Sequence, residues 1–156
     1  MLMSGMEYEL FTKWQREFIL KNSLKKIKAS GEYDYILIDC PPSLGLITLN
    51  AFAAVDSVLI PIQCEYYALE GLSQLIATVR QVKRLYNPTL ELEGVLFTMY
   101  DGRTHLTQQV VAEVKKFFPR KVYGTVIPRT VRLAEAPSYG RPLNYYDPRG
   151  KGAPAY

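Results

Sequence analysis

The strongest chemical content lies in Tyr33-Asp34-Tyr35-Ile36-Leu37-Ile38-Asp39-Cys40-Pro41-Pro42-Ser43-Leu44-Gly45. A short apolar run ends in a carboxylate, and a stiff Pro-Pro turn and a glycine follow. In nucleotide-hydrolysing α/β folds this is where a strand presents an acid to Mg²⁺ and a loop to the terminal phosphate. Mg²⁺ is a hard cation that takes one or two carboxylates together with water and phosphate oxygens. Asp39 suits that role. It equally suits an acid capping a helix that begins near Ser43, where negative charge favours the helix dipole. Pro41 to Gly45 can likewise be a tight corner, or a loop whose glycine lets backbone N–H groups approach an anion. The phosphate cradle that such chemistry needs, G-x-x-x-x-G-K-[ST], does not occur. The single Gly-Lys pair, Gly150-Lys151, is followed by Gly152 and lacks the upstream glycine.

These residues need elements to hold them. Four apolar, β-branched segments read as strands, at about 34–38, 57–61, 93–98 and 123–127. Their near-continuous hydrophobicity suits parallel strands covered on both faces. Between them lie helical patterns. Leu69, Leu72, Leu75, Ile76, Val79, Val82 and Tyr86 recur at steps of three and four over 67–86. Leu106, Val110, Val111, Val114, Phe117 and Phe118 do so over 104–118, and a shorter helix runs from Leu44 to Ala54. Strands alternating with helices predict an α/β fold: a doubly wound, mostly parallel sheet with helices on both faces. Trp14, Phe18, Ile19, Leu24 and Ile27 place leading helices in residues 1–30, ahead of a core over 31–147 and a tail over 148–156.

At 156 residues, 48% of them apolar and 22% charged, one domain with a real core is expected. No apolar run approaches the ~20 residues that cross a bilayer. Glu7, Glu9, Lys13 and Arg16 interrupt any signal-like segment. Cys40 and Cys64 match no zinc spacing and read as free thiols of a reducing cytoplasm. Charge is uneven: residues 1–100 hold nine Lys/Arg against eleven Asp/Glu, and residues 101–156 ten against four. That asymmetry points to a polyanion partner for the C-terminal third, or to solvated surface charge.

Several blocks in order carry a resemblance. They are Tyr33–Gly45, Val58 to Leu72 (VLIPIQCEYYALEGL), Glu93-Gly94-Val95-Leu96, and Val126 to Leu143 (VIPRTVRLAEAPSYGRPL). With Glu7-Tyr8-Glu9-Leu10 ahead of them, the sequence resembles the ParA/Soj family of chromosome- and plasmid-partitioning ATPases, in the deviant P-loop group that includes MinD. The resemblance implies a cytoplasmic, nucleoid-associated ATPase that dimerises around ATP and Mg²⁺ and binds DNA without sequence preference. A ParB/Spo0J-type partner would stimulate hydrolysis. Asp39 matches the Walker B aspartate that holds Mg²⁺ through water, and Pro42, Ser43, Leu44 and Gly45 match the second switch loop. Met99, Pro128 and Arg129 fall where the family holds adenine. Arg103 and Arg132 match its DNA-contacting arginines, which grip phosphates.

Each of these residues also has a plainer reading. Arg103 and Arg132 could make surface salt bridges, with Glu135 muting Arg132. Met99 could be core filler, Tyr66 and Tyr67 could pack, and His105 reads as an exposed residue without a catalytic or metal role.

The sequence departs from the family in having no Walker A loop, no first switch aspartate and no closing helix after Asp147-Pro148-Arg149. The expectation is therefore an incomplete sheet, the C-terminal two-thirds of such a domain, with a truncated tail and no membrane helix. Alone it should neither bind ATP tightly nor hydrolyse it, and uncovered apolar surface near 34–38 should drive self-association or recruit another chain. The alternatives are a non-catalytic module that binds DNA or a partner through Arg103, Arg132, Lys115, Lys116, Arg120 and Lys121, or the nonfunctional product of an interrupted gene.

Overall fold

The computed structural model describes residues 8–156; Glu7 and the start of the leading segment lie outside the described residues. Helical turns at Tyr8–Phe11 and a 3-10 turn at Arg16–Phe18 precede α1, Ile19–Ser30. Gly31 stops α1 in the left-handed region at φ 64°, which costs a glycine nothing. Then come α2 (Leu46–Ala54), β1 (Ser57–Gln63), α3 (Ala68–Leu85), β2 (Glu91–Tyr100), α4 (His105–Phe117) and β3 (Val122–Pro128). Two short helices close the order, α5 (Val131–Glu135) and α6 (Leu143–Tyr146). The strands form one sheet in the order β1-β2-β3, with β2 and β3 parallel. This is the parallel α/β class expected, a fragment of a doubly wound sheet.

The described residues fall into two compact units. One comprises residues up to Val58 with Ser73–Glu91, the other Leu59–Leu72 with Leu92–Tyr156. In the first, α2 is apolar nearly all round and buried, as a helix without a polar face must be. Its one amide, Asn50, is 4% exposed and fully used. Its Nδ2 donates to the carbonyls of Arg16 (2.7 Å) and Leu46 (3.0 Å), and its Oδ1 accepts from the Leu20 N–H (3.2 Å). Asn87 does the same at the other end of α2, donating to the carbonyls of Phe52 (3.0 Å) and Val55 (2.8 Å). Asn50→Ala takes the side-chain partner from three backbone groups, the Arg16 and Leu46 carbonyls and the Leu20 N–H, and is expected to cost about 1–3 kcal/mol, read by urea denaturation. An unchanged midpoint would mean that water replaces the amide.

One expectation fails here. The segment predicted as the first strand, about 34–38, is extended but belongs to no ladder. Its side chains alternate as a strand's do, with Ile36, Ile38 and Cys40 half-buried and Tyr35, Leu37 and Asp39 exposed. A strand needs a hydrogen-bonded neighbour as well as the right residues, and among the described residues none pairs with this one. β1 differs in a smaller way. It buries Val58, Ile60 and Ile62 but leaves Leu59 48% exposed, so only one of its two faces is covered.

Candidate functional site

Asp39 stands exposed at the end of the extended segment and makes no hydrogen bond or ion pair among the described residues. It does not cap α2. That helix has Gly45 at its N-cap, with no side-chain cap bond, and the nearest substitute is the Thr48 hydroxyl donating to the Ser43 carbonyl at 2.6 Å. The capping alternative is thereby removed. Gly45 sits at φ −81°, so its conformation does not itself demand glycine. Burial pushes the neighbouring Cys40 thiol up, and the Asp39 charge adds to the shift, so the thiol stays protonated. Both cysteines are free, as expected.

Mg²⁺ can be tested against this donor set. No group of three His, Cys, Asp or Glu that could hold a metal occurs among the described residues. A single unpaired, hard-oxygen carboxylate fits the protein share of a Mg²⁺ site whose remaining ligands are water and phosphate. Asp39 would hold the ion, and the ion would supply charge neutralisation at the phosphates.

Met99, Pro128 and Arg129 are brought together in the second unit, at the carboxyl ends of two adjacent parallel strands, where ligands of open α/β sheets collect. The register runs Phe97↔Val126 and then Tyr100↔Pro128, so β2 carries one extra residue between those pairs. Met99 takes up that residue in the left-handed region, φ 48°. For a methionine this conformation costs on the order of 1–2 kcal/mol, and bulges of this kind re-aim side chains next to sites. The Arg129 N–H then closes onto the Tyr100 carbonyl at 3.1 Å. Met99 is 46% exposed, which excludes the core-filler reading. The left-handed backbone had no signal in the sequence.

Arg103 and Arg132, also in the second unit, are not bare cations. Arg103 grips Asp101 with a fork, Nε to Oδ1 at 2.8 Å and an Nη to Oδ2 at 2.7 Å, while its backbone N–H donates to Oδ1 at 3.1 Å. The guanidinium and that N–H hold the Asp101 carboxyl down at about 2. A folded value below the ordinary one means the fork is intact above about pH 4 and is lost as the pH falls toward 2. Arg132 donates to Glu135 Oε2 at 3.1 Å, and the same oxygen accepts from the Tyr146 hydroxyl at 3.0 Å. Tyr146 stacks on Tyr139 with ring centroids 5.0 Å apart. The salt-bridge reading of both arginines thus holds in this state, including the pairing of Glu135 with Arg132. Asp101 was missed, although its place two residues before an arginine, at a turn ahead of a helix, is the sequence signal of such a fork.

Of the other acids in residues 101–156, Glu113 pairs with Lys116. Lys115, Arg120, Lys121, Arg129, Arg141, Arg149 and Lys151 have no ion-pair partner among the described residues, so the positive excess of this third rests on them. Tyr66 and Tyr67 do not pack as expected. They are 75% and 77% exposed and stand edge to face, 5.4 Å apart, at the mouth of an open groove of about 510 Å³. His105 is exposed at the first position of α4, as read. Asp39 and the Pro42–Gly45 loop belong to the first unit, the remaining candidates to the second.

A family model described as an AAA domain matches residues 1–92. The sporulation initiation inhibitor protein Soj of Bacillus subtilis is 60% identical over 154 residues, which is 99% of this chain and 60% of that protein. The chromosome partitioning protein ParA of Myxococcus xanthus is 54% identical over 154 residues, 99% of this chain and 54% of that protein. Among solved structures, cobyrinic acid a,c-diamide synthase from Mycobacterium smegmatis with bound ATP analog and magnesium has a TM-score of 0.72 and 36% identity, covering 88% of this chain and 61% of that one. The chain therefore spans a little over half the length of the curated relatives it matches.

Proposed function

The chain belongs to the ParA/Soj family of partition ATPases, and from that premise we propose that it carries the magnesium-side and DNA-side parts of such an ATPase without the phosphate cradle. Asp39 supplies the carboxylate for Mg²⁺, Pro42 to Gly45 the loop that senses the terminal phosphate, and Met99, Pro128 and Arg129 the adenine side. The basic C-terminal third meets DNA phosphates, which gives affinity without sequence readout. The role is in DNA segregation in the cytoplasm, on the nucleoid, with nucleotide-controlled dimerisation and a ParB/Spo0J-type protein as partner.

The observation that carries this reading is the state of Asp39. It ends an extended apolar segment, is exposed, and among the described residues is spent neither on a helix cap nor on an ion pair. Its charge is thus open to a cation.

Phosphate binding in P-loop proteins comes mainly from loop N–H groups, a helix N-terminus and the loop lysine. This chain alone is therefore expected to show no tight ATP binding in isothermal calorimetry with Mg²⁺, after circular dichroism confirms folding, and no turnover. Mg²⁺-dependent hydrolysis by the pure chain, abolished by Asp39→Ala, would overturn that. A second reading, a DNA-binding module without a nucleotide cycle, is favoured by the seven cations of residues 101–156 that have no ion-pair partner among the described residues. Salt-sensitive DNA binding indifferent to ATP would support it.

A further inference from the structure

We propose that Asp101 and Glu135 are built-in competitors of DNA phosphate, each occupying the arginine that would otherwise grip the backbone and so holding down the affinity of this face. The inference rests on the DNA-binding reading above and deepens it. A guanidinium presents a planar fork that fits a carboxylate and a phosphate equally well, so the two anions exclude each other from one arginine. The Asp101–Arg103 contact has that geometry, with both fork bonds shorter than 2.9 Å, although the Arg103 side chain is 90% exposed. Such exposure makes the pair worth little to stability, about 0–1 kcal/mol for a typical surface pair. Its consequence falls on binding instead. A phosphate must displace the carboxylate and then sit beside the negative charge it has uncovered.

The second clamp has the same logic and a stronger anchor. Glu135 is held from the other side by the Tyr146 hydroxyl, whose ring is fixed by its stack on Tyr139. When Arg132 swings to a phosphate, Glu135 stays where it is. Each acid also accepts one further hydrogen bond, Asp101 from the Arg103 backbone N–H and Glu135 from the Tyr146 hydroxyl, and neither caps a helix. Thr104 and Thr130, not these carboxylates, cap α4 and α5 through the Thr107 and Leu133 N–H groups.

The isosteric variants test this while keeping one accepting oxygen in each side chain. In Asp101→Asn an oxygen still accepts from the Arg103 N–H, and in Glu135→Gln one still accepts from Tyr146. Binding of the full chain to a short duplex of arbitrary sequence is followed by fluorescence anisotropy over a salt series. Each variant is expected to bind about 3–10-fold tighter at low salt, with the salt slope steeper by roughly 0.9 per released arginine. The Asp101→Asn gain is expected to vanish in an Arg103→Ala background, and the Glu135→Gln gain in Arg132→Ala. The proposal fails if the unmodified chain binds DNA and neither variant tightens it. It fails equally if the gains persist without the arginines, since net charge alone then explains them. Absence of binding by the chain and by both variants at low salt overturns the DNA-binding reading, and this inference with it. Loss of affinity on replacing Lys115, Arg120 and Lys121 by alanine, with Asp101→Asn unchanged, leaves that reading standing and removes only the clamps.

Discussion

Sedimentation velocity on the purified chain is expected to show mass-action self-association, and Leu37→Lys is expected to weaken it by about ten- to hundredfold. Leu37 is 92% exposed and Tyr35 84%, on an extended segment that belongs to no ladder among the described residues. Burying one such leucine is worth about 1.5–3 kcal/mol. Among the described residues the backbone beside it has no ladder partner, leaving N–H and C=O groups of the kind by which sheet edges recruit other strands. The effect should be specific to this segment. Leu85 is also exposed, at 52%, but ends a helix and offers no strand-like edge, and Leu85→Lys should leave the association unchanged. A clean monomer at high concentration, or equal sensitivity to both substitutions, would show that the extended segment is not the adhesive element.

The second large effect is expected at Gly94, in the middle of β2. A Cβ built there would stand 2.5 Å from Tyr123 Cε2 and 3.0 Å from the Lys121 carbonyl oxygen, the same oxygen that accepts the Val95 N–H at 2.6 Å. The tyrosine of β3 thus lies over the bare backbone of β2, filling the gap that a glycine leaves in a strand. Gly94→Ala forces either the ring or the strand pairing to shift, and overpacking of this kind costs about 1–3 kcal/mol. For a chain of this length each kcal/mol lowers Tm by roughly 2–4 °C. Tyr123→Ser in the Gly94→Ala background should recover part of the loss, because the clash is with a side chain first and with backbone second. If Gly94→Ala melts with the unmodified chain, the ring has room to move and the glycine is not required by packing.

Much of the fold was legible. The helices over 67–86 and 104–118 emerged as Ala68–Leu85 and His105–Phe117, and the strands at 57–61, 93–98 and 123–127 as Ser57–Gln63, Glu91–Tyr100 and Val122–Pro128. Amphipathic periodicity over several turns and β-branched apolar runs are local signals, so they survive without knowledge of the rest of the molecule. The short helices α5 and α6 were not legible. Each has too few residues for a period to register, and α5 starts on the Thr130 cap, whose bond to the Leu133 N–H becomes visible only once the backbone has turned.

The residue types that hold an ion, approach a phosphate loop or attract a polyanion were set by the sequence itself. Asp39, the Pro-Pro turn and the charge excess of residues 101–156 are matters of composition and order, as is the resemblance that ties them to a family. Which of them is available was decided only in three dimensions. A strand exists only where another strand pairs with it, so residues 34–38 could be read as a strand and still have no ladder partner among the described residues. An arginine is free or occupied according to a carboxylate a few ångströms away, and the Asp101 and Glu135 clamps follow from turn geometry and side-chain reach. The left-handed backbone of Met99 follows from the register between β2 and β3, a relation between two segments that neither one encodes alone.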